Sequence, residues 1–116
     1  MNFDEYQEEA FALATYPHVK ANIVYPAMGM AGEAGELCDK IKKHWRNTDL
    51  PIPELTAALT EEQRKAITLE LGDVLWYIGA LASELGITLR EVAEVNIHKL
   101  RDRRARGVIK SQGDNR

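Results

Sequence analysis

The segment from Thr60 to Gly86 constrains the fold most. Thr60-Glu61-Glu62-Gln63 has the form of a capping box, in which hydroxyl and amide satisfy each other's backbone N–H groups at a helix start. Helical spacing then continues to Leu85 before Gly86 offers a stop. About 25 residues of helix make a rod ~37 Å long, more than a lone domain of this size covers easily. Its apolar positions Leu71, Val74, Leu75, Ile78, Leu81, Ala82 and Leu85 wrap widely around the axis. A helix this apolar needs cover from more than one direction, which predicts a homodimer at least, or a dimer of dimers.

Three further helices surround it. The first is expected over about Asn2 to Thr15, with Phe3, Tyr6, Ala10, Leu13 and Ala14 on one face, until Pro17 breaks the pattern. The second spans roughly Ile23 to Arg46, with Pro26 near the first turn, where backbone N–H groups are unpaired anyway. "NTDLPIPEL" reads as a loop. Thr88-Leu89-Arg90-Glu91 is a second capping box, opening a helix to about Arg104. No stretch alternates with a two-residue period, so no strand is expected. The fold class is all-α, a four-helix bundle-like protomer over residues 1–107, with a basic and polar tail at 108–116. Gly29, Gly32 and Gly35 weaken the second helix by ~1 kcal/mol each. Spaced by three, they fall along one side and would let another backbone or a ligand approach closely.

Composition excludes several classes. With 45% apolar and 28% charged residues the chain reads as globular rather than disordered. Its apolar runs fall short of a membrane span, and the acidic "MNFDEYQEEA" is no signal peptide, so no membrane association is expected. The single cysteine, Cys38, cannot close an internal disulfide, which fits a reducing cytoplasm. Residues 99–116 hold seven basic against two acidic side chains, a net of +5, so the rest carries −8 of the overall −3. The basic stretch is short and lacks aromatics to stack bases, which ranks nucleic acid below a phosphate held by the acidic body.

That body contains an anomaly. "GEAGEL" places Glu33 and Glu36 three residues apart among Ala, Gly and Leu, and "LELGDV" does the same for Glu70 and Asp73. Residues three apart share a helix face, so each pair forms one acidic patch, and antiparallel packing would bring four carboxylates together. Such a cluster repels itself unless a hard divalent cation resolves the conflict. Carboxylate oxygens suit Mg²⁺, with Mn²⁺ able to substitute. A di-iron bundle would show Glu-x-x-His pairs, whereas His18, His44 and His98 sit elsewhere. Asn96 falls in an apolar row of the fourth helix with Leu89, Val92, Ala93 and Leu100, where an amide would fix helix register or contact a phosphate beside Lys99 and Arg103.

These residues resemble the all-α nucleoside triphosphate pyrophosphohydrolases, the MazG-like group, whose relatives include dimeric dUTPases, dCTP pyrophosphatases and phosphoribosyl-ATP pyrophosphohydrolases. "GEAGEL", "ELGDVLWYI" and "VNIHKLRDRRARG" carry the likeness over about residues 20 to 107, and "GDNR" resembles the end of small stand-alone members. Where the family often has a further Glu, this chain has Gly32, which leaves the number of metal ions open. The resemblance implies an Mg²⁺-dependent enzyme cleaving a nucleoside triphosphate to monophosphate and pyrophosphate, in nucleotide-pool control. It implies Glu33, Glu36, Glu70 and Asp73 as metal ligands, with Glu33 or Glu36 orienting or deprotonating the attacking water. Asn96, Lys99 and Arg103, with Lys40 or Lys43, are expected on phosphate oxygens, and Tyr77 on phosphate or sugar. Tyr6, Gln7 and His18 are expected to line the base and sugar pocket, and Trp45 to stack a base, although tryptophans in small helical proteins more often serve the core. The rivals are a phosphoribosyl-ATP-type substrate and a non-catalytic dimeric helical binding module.

Overall fold

The computed structural model describes residues 1–107; the predicted tail at 108–116 lies outside the described residues. Four α-helices follow one another, α1 Phe3–Ala12, α2 Val24–Thr48, α3 Glu61–Glu84 and α4 Leu89–Ala105, with one 3-10 turn at Ile52–Glu54 inside the α2–α3 loop. No strand occurs among the described residues.

Each boundary has a local cause. Helix α1 opens on an Asn2–Glu5 capping box and stops at Leu13, short of the expected Thr15. Pro17 disfavours helical geometry in the residue before it, and Tyr16 instead turns inward, where it is buried. The Asn22 side-chain oxygen accepts from the Val24 and Tyr25 N–H groups at 3.0 and 3.1 Å, starting α2. That helix runs two residues past Arg46, until Asp49 adopts a left-handed conformation and its N–H closes on the Trp45 carbonyl at 3.0 Å. The predicted Thr60–Gln63 capping box starts α3. Its end is a Schellman turn: Gly86, at φ +73°, donates to Ser83 O, and Ile87 donates to Ala82 O. Of the second predicted box only one half forms, the Thr88 hydroxyl accepting from the Glu91 N–H at 2.9 Å.

Helices α2 and α3 pack along most of their length, and their register is antiparallel. Gly29 lies against Tyr77, Lys40 pairs with Glu70, and His44 shares a cavity with Gln63. Helix α1 crosses α3, and α4 packs chiefly on α1 and α3. Gln7 joins all three: its amide nitrogen donates to Ser83 Oγ at 3.0 Å and Ile87 O at 2.9 Å, and its oxygen accepts from the Leu89 N–H at 2.7 Å. Of the three glycines in α2, only Gly29 answers a close approach, since a Cβ there would overlap the Tyr77 ring. Gly32 and Gly35 face open space, so the expected three-residue stripe reduces to one position.

The core is thin. Buried apolar side chains among the described residues are Tyr16, Pro26, Ala80, Ala82 and Leu89, while Met28, Leu69 and Val95 are each more than 60% exposed. The radius of gyration is 17.2 Å, against about 13 Å for a compact chain of this length. Helix α3, contrary to the expectation from apolar runs, is long and apolar enough by length and composition to cross a membrane. Glu70 and Asp73 stand near its middle, an arrangement that is costly in a bilayer.

Candidate active site

Antiparallel packing aims the two acid pairs at each other. Glu33, Glu70 and Asp73 each offer a carboxylate oxygen, and the three oxygens lie within 4.8 Å of one another. Glu36 stands outside this tight group, exposed, on the same face of α2 as Glu33. Burial raises the Glu33 pKa first, and the charges of Glu36 and Asp73 raise it further. Glu33 Oε2 and Glu70 Oε2 are both buried and have no hydrogen-bond partner. Two orphaned acceptors beside a third carboxylate are costly as they stand. They form the oxygen-only donor set that a hard divalent cation takes. Glu33, Glu70 and Asp73 fit such an ion, with Glu36 beside them.

Cations approach from one end. Lys40 Nζ lies 3.4 Å from Glu70 Oε1. Lys43 Nζ lies 2.7 Å from Asp39 Oδ2, and Lys42 is 3.4 Å from the same carboxylate, so Asp39 titrates below the usual range, held there chiefly by its bond to Lys43. Aromatic rings close the opposite end. Tyr77, one turn past Asp73, packs on Gly29, its ring 6.4 Å from that of Tyr25. Burial, then the neighbouring Tyr25, Glu33 and Asp73, push its hydroxyl pKa up. Tyr16 stacks on Tyr25 with centroids 5.0 Å apart, and Tyr25, Met28, Gly29 and Tyr77 line a cavity that none of the four acids lines.

The remaining expected site residues are distributed unevenly. Tyr6 does border the cluster: burial and then the Asp73 charge raise its pKa. Gln7 does not line a pocket for a base, because its buried amide is already committed to Ser83, Ile87 and Leu89. His18 is exposed at φ +56°, in a loop fastened to Glu84, which lies ~16 Å along α3 from Asp73. Trp45 is 49% exposed, one residue beyond the buried His44 and hence turned ~100° away from it. Trp76 belongs to the core, its indole N–H donating to Ala10 O at 3.2 Å. On α4, Asn96 is exposed rather than buried in an apolar row. It borders a cavity with Val92, Val95 and Lys99 that none of the four acids lines. Arg103 is buried, at 7% exposure.

Sequence reasoning passed over Tyr16, Tyr25 and Glu84. A signal for two of them was present: Tyr25, Gly29 and Glu33 follow at four-residue steps on one face, and Glu84 lies three turns past Asp73. Glu84 accepts from the Tyr16 hydroxyl, from the Lys20 N–H at 2.9 Å and from the Asn22 N–H at 3.1 Å. This one carboxylate therefore fixes the loop that delivers Tyr16 to Tyr25.

The chain is 40% identical over 121 residues to the Gene 37 protein of Mycobacterium phage L5, an alignment that covers the whole of both chains. No solved structure matches it. The MazG nucleotide pyrophosphohydrolase domain matches residues 27–108, a span that takes in both acid pairs, most of α2 and all of α3 and α4. The chain therefore belongs to the MazG nucleotide pyrophosphohydrolase domain family.

Proposed function

We propose that this protein is an Mg²⁺-dependent enzyme that hydrolyses the α–β phosphoanhydride of a nucleoside or deoxynucleoside triphosphate, giving monophosphate and pyrophosphate. Family membership supports a nucleotide pyrophosphohydrolase with a small-molecule nucleotide substrate. One observation carries the finer reading: carboxylates from two helices converge within 4.8 Å, with two buried oxygens left without partners.

Glu33, Glu70 and Asp73 would hold the divalent ion. When bound, it supplies neutralisation of phosphate charge and activation of water at neutral pH. The protein's own groups account for the rest. Glu36, exposed and one turn along α2 from Glu33, is the carboxylate left to orient the attacking water and take its proton. Lys40 offers charge to the departing pyrophosphate end, beside a Lys43 held on Asp39, since phosphoryl transfer depends on positioning and electrostatics. Tyr77 and Tyr25 offer an amphipathic wall to the nucleoside end.

The exposed apolar faces of α2, α3 and α4 and the thin core favour a homodimer or a dimer of dimers. In that assembly Asn96, Lys99 and Arg103 would complete the phosphate contacts. Light scattering of the purified chain reads the assembly directly, and a monomer at micromolar concentration overturns it.

The decisive assay is pyrophosphate release from each common NTP and dNTP with Mg²⁺ or Mn²⁺. Glu36→Ala, Glu70→Ala and Asp73→Ala should each abolish turnover while leaving the helical circular dichroism intact. Removing an acid should also raise the melting temperature of the metal-free protein, because it relieves repulsion. Unchanged turnover in two of the three variants would refute the metal-site reading.

A further inference from the structure

We propose that Lys40 exchanges partners. It pairs with Glu70 while the acid cluster holds no cation, and it turns to a polyphosphate group in the adjoining cavity once a divalent ion takes Glu70. This rests on the metal site proposed above and adds a coupling between its two ligands.

Four features support the exchange. The pair is loose, at 3.4 Å between Lys40 Nζ and Glu70 Oε1, longer than the 2.7–2.9 Å typical of charge-assisted bonds. Its members differ in exposure, the Glu70 side chain being 13% and the Lys40 side chain 44% exposed, so the amine can leave while the carboxylate cannot. The other oxygen of Glu70 is buried and has no partner, so Lys40 satisfies only half of this carboxylate. Finally, Lys40 also lines a cavity of about 260 Å³ between α2 and α3, with Lys43, His44, Asn47, Gln63 and Ile67. Of the two lysines there, Lys43 is fixed on Asp39 at 2.7 Å. Lys40 is the one whose present partner belongs to the metal site.

The electrostatics then run in sequence. A divalent ion at Glu33, Glu70 and Asp73 cancels the charge that holds Lys40 and repels the ammonium. The flexible four-carbon stem lets the amine swing into the cavity without moving α2. An anion with several phosphate oxygens, the diphosphate end of a substrate or free pyrophosphate, replaces Glu70 as its acceptor. Cation and polyphosphate thus favour each other's binding, and by linkage the effect is reciprocal.

Lys40→Met keeps the stem and removes the charge. Mn²⁺ titration of nucleotide-free protein, read by electron paramagnetic resonance, should show about fivefold tighter binding in the variant, the upper range for an exposed pair. In the wild type, acylation of Lys40 read by mass spectrometry should rise when Mg²⁺ is added, while Lys65 is unchanged. With Mg²⁺ saturating, the variant should bind pyrophosphate about tenfold more weakly by calorimetry, as for loss of one charged hydrogen bond. Equal Mn²⁺ affinities, or Lys40 labelling indifferent to Mg²⁺, overturn the exchange and leave the acid site standing. Tighter Mn²⁺ with unchanged pyrophosphate binding overturns the second partner. Failure of the wild type to bind Mn²⁺ overturns both this and the proposed function.

Discussion

The three helical glycines of α2 permit a test with opposite signs in one helix. Replacing a helix-interior Gly by Ala gains about 1 kcal/mol when the methyl meets nothing. With an unfolding entropy of about 2.1 cal/mol/K per residue, a chain of 116 residues shifts by ~4 °C for each kcal/mol. Gly32→Ala and Gly35→Ala, both facing open space, should each raise the melting temperature by ~4 °C. Gly29→Ala gains the same propensity but drives a methyl into the Tyr77 ring. That ring is hemmed in by Trp76, edge-on at 5.1 Å, and by Tyr25 at 6.4 Å, so it cannot yield freely. Overpacking of this kind costs about 1–3 kcal/mol, which cancels or outweighs the propensity gain, so the net expectation is no rise and a fall of up to ~8 °C. The assay is thermal unfolding of metal-free protein by circular dichroism, with KM measured alongside, because a displaced Tyr77 should weaken nucleotide binding. A Gly29→Ala protein stabilised as much as the Gly32→Ala and Gly35→Ala proteins would refute the wedge. Loss of stability at Gly32 or Gly35 would show that those faces are covered, as the proposed homodimer would allow.

Other expectations follow from the same contacts. The folded protein raises the Glu33 pKa above its ordinary 4.5 and so holds a proton that the unfolded chain releases. Metal-free stability should therefore fall as pH rises from 4.5 through the raised value; Glu33→Gln should remove that slope, and melting curves across pH check it. Gln7→Ala strands the Leu89 N–H and the Ile87 carbonyl and should cost about 2–4 kcal/mol in urea unfolding; a loss under 1 kcal/mol would mean water replaces the amide. Glu84 is held below its ordinary range, burial pushing its pKa up but bonds from the Tyr16 hydroxyl and the Asn22 and Lys20 N–H groups outweighing it. Its contribution is therefore present above the ordinary carboxylate pKa and is lost as pH falls through the lowered one. Glu84→Gln should loosen the 16–22 loop, read as faster tryptic cleavage after Lys20.

Much of this architecture was legible because local rules and tertiary packing agree. Thr60 with Gln63 starts α3, and Gly86 ends it, through hydrogen bonds that close within a few residues. The helical period alone placed Glu33 with Glu36 and Glu70 with Asp73 on shared faces, so the acid site could be named before its geometry was known. The likeness to the MazG-like group rested on those residues, and the family match covers them.

What the linear pattern left open is what depends on register between helices. Spacing could not say that Gly29 alone of three glycines meets an aromatic ring, because that follows from which turn of α3 lies opposite. It could not commit Gln7 to Ser83, Ile87 and Leu89, partners 76 to 82 residues away. Nor could it expose Asn96, whose apolar row on α4 finds little to pack against within one protomer. Periodicity fixes which side chains share a face. Only the packed structure fixes what that face meets, because contacts between distant segments depend on the summed shape of both surfaces.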